Sequence, residues 1–177
     1  MIVSAIRQLF QPSYKHEAHA AYVRLVEHAR SPWFYEEQSV PDTLDGRFDV
    51  VVLHIFLIVH RLRRERSDEA AYFVRALSEV FFADMDRSLR EMGVGDTGVG
   101  VRIKKMVSAF YGRLQAYEQN LADQEQFKQS LQRNLYREES VESKTLQAVN
   151  DYMRRNIAHL DQQITPDILK GELIFLR

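Results

Sequence analysis

Four of the seven glycines, Gly93, Gly95, Gly98 and Gly100, fall within eight residues between two long stretches of helical periodicity. Glycine reaches positive φ and lets another backbone come close, so alternate glycines here mark an interhelical loop of demanding shape. The chain is acidic before this joint, at Asp84, Asp86 and Glu91, and basic after it, at Arg102, Lys104 and Lys105. Only seven glycines and four prolines in 177 residues argue against a sandwich, a barrel or a long disordered linker. The expectation is an all-α, compact, multi-helix fold of about six to eight helices, forming one domain over residues 1–177.

Periodicity and capping residues place the helices. A first helix is expected over residues 14–29, with Ser13 as N-cap and Tyr22, Val23 and Val26 as its apolar face. Ser31-Pro32 starts a new turn carrying Trp33, Phe34 and Tyr35. Asp42 or Thr43 then caps a helix over residues 44–64, apolar on most sides between Phe48 and Val59 and therefore central and buried. Ser67 caps a helix reaching Met92, with Phe73, Leu77, Val80 or Phe81, and Leu89 at helical spacing; Gly93 stops it. The next helix begins at Asp96 or Thr97, with one apolar face of Val99, Ile103, Met106, Phe110 and Leu114. Asp123 to Gln126 resembles a capping box before Phe127, Leu131 and Leu135. Ser140 or Ser143 opens a helix whose Leu146, Val149, Met153, Ile157 and Leu160 face the core. Thr165-Pro166 begins a last short turn closed by Gly171, and residues 172–177 alternate as an extended tail.

The absence of cysteine excludes disulfides and thiolate metal sites. A net charge of −1 gives no global basic field, which speaks against DNA as a partner. Residues 1–10 carry Ser4, Arg7 and Gln8 and lack an apolar core of signal-peptide length. Val50 to Val59 is much shorter than the roughly 20 residues of a spanning helix. The expected location is the cytoplasm, with peripheral contact at the inner face of the membrane as the variant.

Free N–H groups at a helix start, with Lys104 and Lys105 nearby, suit an anion. However, the glycine spacing matches neither the Walker loop nor the Rossmann fingerprint, whose glycines follow a strand. Asp84 and Asp86 lie two apart and do not share a helix face, whereas Asp86 with Arg90 and Asp84 with Arg87 read as ion pairs. His16 and His19 lack the spacing of a zinc-binding pair, and His54 reads as a core histidine partnered by Asp49 or Asp45. No nucleophile or acid–base pair emerges, so catalytic residues, metal ligands and cofactors are all expected to be none. The basic run Arg61 to Arg66 and the patch Arg102, Lys104 and Lys105 are either solvated or docking surfaces for acidic protein, RNA or anionic headgroups.

Several segments together carry a resemblance. They are Asp45-Gly46-Arg47-Phe48-Asp49, Leu53-His54, Arg61-Leu62-Arg63, Phe82-Ala83-Asp84-Met85-Asp86 and Leu89 to Asp96. Val99-Gly100, Ile103-Lys104-Lys105 and Phe110-Tyr111-Gly112-Arg113 complete the set. Over about residues 45–117 the chain resembles the ubiquinol–cytochrome c chaperone family, assembly factors of respiratory complex III. It resembles a bacterial member or a mature form, departing from the usual pattern at Val101, where members often carry a basic residue.

The resemblance implies a chaperone and not an enzyme, one that binds newly made cytochrome b or another complex III subunit. A small helper protein and a ribosomal or membrane-surface contact stay open as partners. The candidate partner-binding surface is the glycine corner: Asp84, Asp86, Arg90, Gly93, Gly95, Asp96, Gly100, Arg102, Lys104 and Lys105. Two rivals remain on the residues alone. One is a peripheral lipid- or quinone-binding protein, and the other is an enzyme using the glycine loop for a phosphorylated ligand.

Overall fold

The structure, a computed structural model, describes residues 13–137 and 140–176. Among these, seven α-helices run in chain order: α1 (Lys15–Ala29), α2 (Leu44–Arg63), α3 (Asp68–Glu91), α4 (Asp96–Asn120), α5 (Gln124–Leu131), α6 (Ser143–Gln162) and α7 (Thr165–Leu169). Two π-helical turns, Trp33–Glu37 and Gln132–Tyr136, interrupt the regular helices. No strand occurs among the described residues.

Helix α2 is the hub. Fifteen of its 20 residues are buried, because α1, α3, α4 and α6 all pack against it. A helix that is apolar on nearly every side is stable in water only when neighbours cover it all round. Its start is fixed by Thr43, whose Oγ1 accepts the Gly46 N–H at 3.1 Å. Gly46 itself is required by packing. A Cβ there would sit 1.9 Å from the Pro41 carbonyl oxygen, so the entering chain crosses the helix where only a glycine fits.

The expected helix ends mostly hold. Ser67 Oγ accepts the Ala70 N–H, and Asp123 accepts the N–H groups of Glu125 and Gln126. One N-cap moves, Tyr14 taking the position expected of Ser13, while α6 begins at Ser143 and α7 at Thr165 as expected, with Glu142 and Ile164 as their N-caps. On α1 the buried face is Ala18, Ala21, Tyr22, Leu25 and Ala29, while Val23 points to solvent. Small alanines let α1 lie close on α3, and Val23 falls outside that stripe. On α3 the core position is Phe81 and not Val80. The tail alternates as expected, with Leu173 and Phe175 buried and Ile174 exposed.

Two polar features tie the bundle. His54 is fully buried: its Nδ1–H donates to the Val50 carbonyl at 2.8 Å, so Nε2 accepts the Tyr152 hydroxyl at 2.7 Å. The partner is thus a tyrosine of α6, not Asp49 or Asp45. Burial pushes the His54 pKa down to about 4. Two members of the basic run at the end of α2, Arg61 and Arg64, are bound by α6 and the chain just beyond it. Arg61 donates to the carbonyls of Leu160 and Gln163, both at 3.0 Å, and Arg64 pairs with Asp161 at 2.6 Å. Arg61 thereby satisfies the Gln163 carbonyl just past the end of α6 and shares the Leu160 carbonyl with the Gln163 N–H. Arg63 and Arg66 of this stretch are exposed, and Arg63 has Glu118 at 3.8 Å.

Candidate functional site

The glycine corner is a helix stop followed by a helix start. Gly93 has φ of +80°, its N–H donates to Arg90 O, and Val94 N–H donates to Leu89 O. Those two bonds make a Schellman ending, which needs a left-handed residue at this position. Gly95 is the N-cap of α4 in an extended conformation. Gly98 and Gly100 lie inside α4, and a Cβ on Gly95 or Gly100 would meet nothing within 4 Å. The left-handed turn of the corner therefore rests on Gly93, and the close approach on Gly98, where a Cβ would stand 3.0 Å from Val94 Cγ1.

The acidic residues of the corner are engaged inside the protein. Asp84 Oδ2 accepts the Tyr22 hydroxyl at 2.8 Å, tying α3 to α1, while Arg87 pairs with its other oxygen. Burial beside that carboxylate drives the Tyr22 pKa upward, so the phenol stays a donor. Arg90 pairs with Asp86 at 2.7 Å on its own helix and with Asp96 at the start of α4. This clasp bridges the corner, and all three partners are solvent-exposed or nearly so.

The three cations are spread around α4, with Arg102 and Lys105 neighbours at a spacing of three. Arg102 lines a cavity of about 750 Å³ beside Asp45, Asp49 and Arg137 at the start of α2. Lys104, two residues on, leaves the opposite flank, as helix geometry requires. Lys105 lies on the outer face between them. All three are exposed, and none pairs with an acidic side chain among the described residues.

That cavity holds a contact not foreseen from the motifs. Asp49 is fully buried, with Arg113 Nη2 at 2.8 Å from Oδ1 and Arg137 Nη2 at 3.5 Å from Oδ2. Arg113 also lies over the Phe48 ring at 5.4 Å. Asp-Gly-Arg-Phe-Asp and Phe-Tyr-Gly-Arg therefore meet in a buried ion pair. Oδ1 accepts no aligned hydrogen bond among the described residues. Desolvation outweighs the pull of the two arginines and pushes the Asp49 pKa up to about 7.

A broad concavity runs along α3 and α4. It is an open groove of about 1070 Å³ whose floor is Val59, Val74, Phe82, Phe110, Tyr111 and Leu114. It exists because α4 is poorly covered, with only Val99, Phe110 and Tyr117 buried among its 25 residues. Ile103, Met106 and Leu114, read from spacing as part of one apolar face, are half-buried. Tyr111 is 58% exposed at the groove's edge. Lys104 lies two turns before Tyr111 and therefore on the same flank of α4.

The model of the family described as ubiquinol–cytochrome C chaperone matches residues 36–175. The chain belongs to the ubiquinol–cytochrome c chaperone family. The match reaches well beyond the motifs of residues 45–117 and takes in α5, α6 and α7. A Xenopus laevis protein named ubiquinol-cytochrome-c reductase complex assembly factor 1 is 25% identical over 156 residues, covering 87% of this chain and 78% of that protein. The mouse protein of the same name is 23% identical, over 84% of this chain and 50% of its own length. This chain thus spans about half of the mouse relative. Among solved structures, the crystal structure of the Cbp3 homolog from Brucella abortus matches with a TM-score of 0.81 and 29% identity. That match covers 100% of this chain and 97% of the other.

The family match spans the corner and both residues of the Asp49–Arg113 pair. It assigns no role to the groove, whose floor joins residues of α2, α3 and α4. The missing signal was coverage: spacing marks Leu114 as apolar but cannot tell whether another helix lies over it.

Proposed function

We propose that this chain is a non-enzymatic assembly chaperone of ubiquinol–cytochrome c reductase that holds newly made cytochrome b, or another membrane subunit of that complex. The family match over residues 36–175 carries this reading. The assembly-factor names of the relatives and the likeness to the Cbp3 homolog support it. The groove on α3 and α4 suits such a substrate, since an apolar helix docks by laying one face into an apolar trough. Lys104 and Lys105 then meet polar or acidic flanks of the substrate, with Gly100 allowing close approach. Arg102 joins from the far side of α4. Asp84, Asp86, Arg90, Gly93, Gly95 and Asp96 serve that surface by fixing the angle between its two helices. No helix among the described residues is long and apolar enough to cross a membrane. Action at the cytoplasmic face of the membrane accords with this, with a small helper protein and a ribosomal or membrane-surface contact as secondary partners.

The test is co-purification from gently solubilised cells of the source organism, with bound proteins identified by mass spectrometry. Wild type is compared with a Tyr111→Asp, Lys104→Glu, Lys105→Glu variant, whose changes are all at exposed positions and whose fold is checked by circular dichroism. Cytochrome b enriched by wild type and lost by the variant is the expected result. Equal recovery by both would move the site elsewhere. Lipid or prenylquinone without any subunit of the complex would overturn the reading.

A further inference from the structure

Two of the three glycines inside α4 have no packing reason to be glycine; at the third, Gly98, a Cβ would stand 3.0 Å from Val94 Cγ1. A Cβ on Gly100 would meet nothing within 4 Å, and the same holds for Gly112. An exposed glycine inside a helix weakens that helix, because its unfolded backbone has more freedom to lose. Gly98 and Gly100 both lie in the first two turns of α4, and Gly95 caps it without a side chain. Burial does not compensate. Between Val99 and Phe110 no residue of α4 is buried, and Val101 is 54% exposed. What holds this half in place is the Val99 side chain, a half-buried row of Ile103, Met106 and Val107, and the Arg90–Asp96 pair. The pair is exposed, and such pairs contribute little. Beyond Phe110 the situation reverses. Phe110 packs edge-on against Phe82 with ring centroids 5.2 Å apart and also contacts Phe81, and Tyr117 is fully buried beside Phe56 and Phe127.

We propose that residues 96–109 of α4 form a gate, opening as a unit while the remaining helices stay folded, hinged before Phe110 and held shut by Arg90 across the glycine corner. Opening lengthens the groove toward the corner. It uncovers Leu89, which is fully buried where α3 meets the corner, together with the outer side of Phe82 and Phe110. The use of the gate to admit a substrate rests on the reading above. The opening itself is a property of the free chain and stands or falls separately.

The experiment is native-state hydrogen exchange on the full chain, read amide by amide. Local opening shows as faster exchange than the global unfolding limit. Amides of residues 100–109 are expected to exchange at least about a hundredfold faster than those of residues 52–60 in α2. Gly100→Ala is expected to slow residues 100–109 about fivefold, the effect of one such replacement on helix propensity, and to leave α2 unchanged. Gly112→Ala, beyond the hinge, is expected to leave residues 100–109 unchanged. Arg90→Gln is expected to speed them about threefold without touching α2, as loss of an exposed pair allows. Exchange of residues 100–109 within tenfold of α2, or a Gly100→Ala effect spread equally over all helices, would overturn the gate. Failure of the co-purification test with a positive exchange result would leave the gate standing and remove only its substrate.

Discussion

Asp49 makes the buried ion pair measurable through pH. Its carboxyl has no exposed surface and faces Arg113, Arg137, Asp45 and the Tyr117 phenol, and burial lifts its pKa to about 7. In the unfolded chain the same group titrates near 3.9. Between those values the folded protein binds the proton more tightly than the unfolded one. Its contribution to stability is therefore complete below about pH 4 and disappears as pH rises through about 7. Integrating from pH 5 to pH 8 gives a loss of about 2.6 kcal/mol from this one group. Asp49→Asn keeps the shape of the protonated carboxyl and cannot titrate. The difference in unfolding free energy between wild type and Asp49→Asn, measured by urea denaturation at pH 5, 6, 7 and 8, cancels the other titrating groups. It is expected to fall by roughly 2–3 kcal/mol across that range, leaving the variant relatively more stable at pH 8. A flat difference would mean that the arginines fully offset burial. A difference that rises with pH would mean an ion-paired carboxylate held below its ordinary value, and the reasoning from desolvation would be wrong.

His54 works in the opposite direction. Its pKa is pushed down to about 4, so its stabilising contribution is present above about pH 6.5 and is lost as pH falls toward 4. The difference between wild type and His54→Gln is expected to shrink by about 2 kcal/mol from pH 8 to pH 5, and a constant difference would refute burial as the cause. Gly46→Ala places a methyl on the Pro41 carbonyl and is expected to cost about 3 kcal/mol or more in urea unfolding. A loss below about 1 kcal/mol would show that the entering chain yields without strain.

Helix positions were readable because local chemistry sets them. Thr43, Ser67 and Asp123 cap helices through N–H groups two or three residues away, and Gly93 ends α3 by its own backbone. Burial of α2 was readable from its apolar surround. What local pattern does not carry is partnership across the chain. His54 meets Tyr152 at a separation of 98 residues, and Asp49 meets Arg113 from another helix. The π-helical turn at Gln132–Tyr136 breaks a stripe that reads as continuous, although Phe127, Leu131 and Leu135 are all buried as expected. Within the site, the Asp86–Arg90 pair was legible from spacing. The offset of Arg102 from Lys104 was legible from their two-residue spacing, as was the nearness of Arg102 to Lys105 from a spacing of three.

The location of the groove follows from how burial is shared out. Helix α2 spends nearly its whole surface on its neighbours, so a partner finds no face on it; α4 buries three residues and leaves an apolar flank half-covered. A chaperone for an apolar helix needs both conditions in one molecule. On the proposed reading the hub would keep the fold intact while the under-covered helix exchanged intramolecular contacts for substrate contacts of the same chemistry. That exchange is reversible only if the contacts given up are weak, which accounts for open glycines and an exposed ion pair where a stability-driven sequence would place alanine and leucine. The two halves of the chain are thus expected to answer mutation differently. Changes in α2 lower stability and take binding with them, whereas changes on the outer flank of α4 remove binding and leave the fold as stable as before.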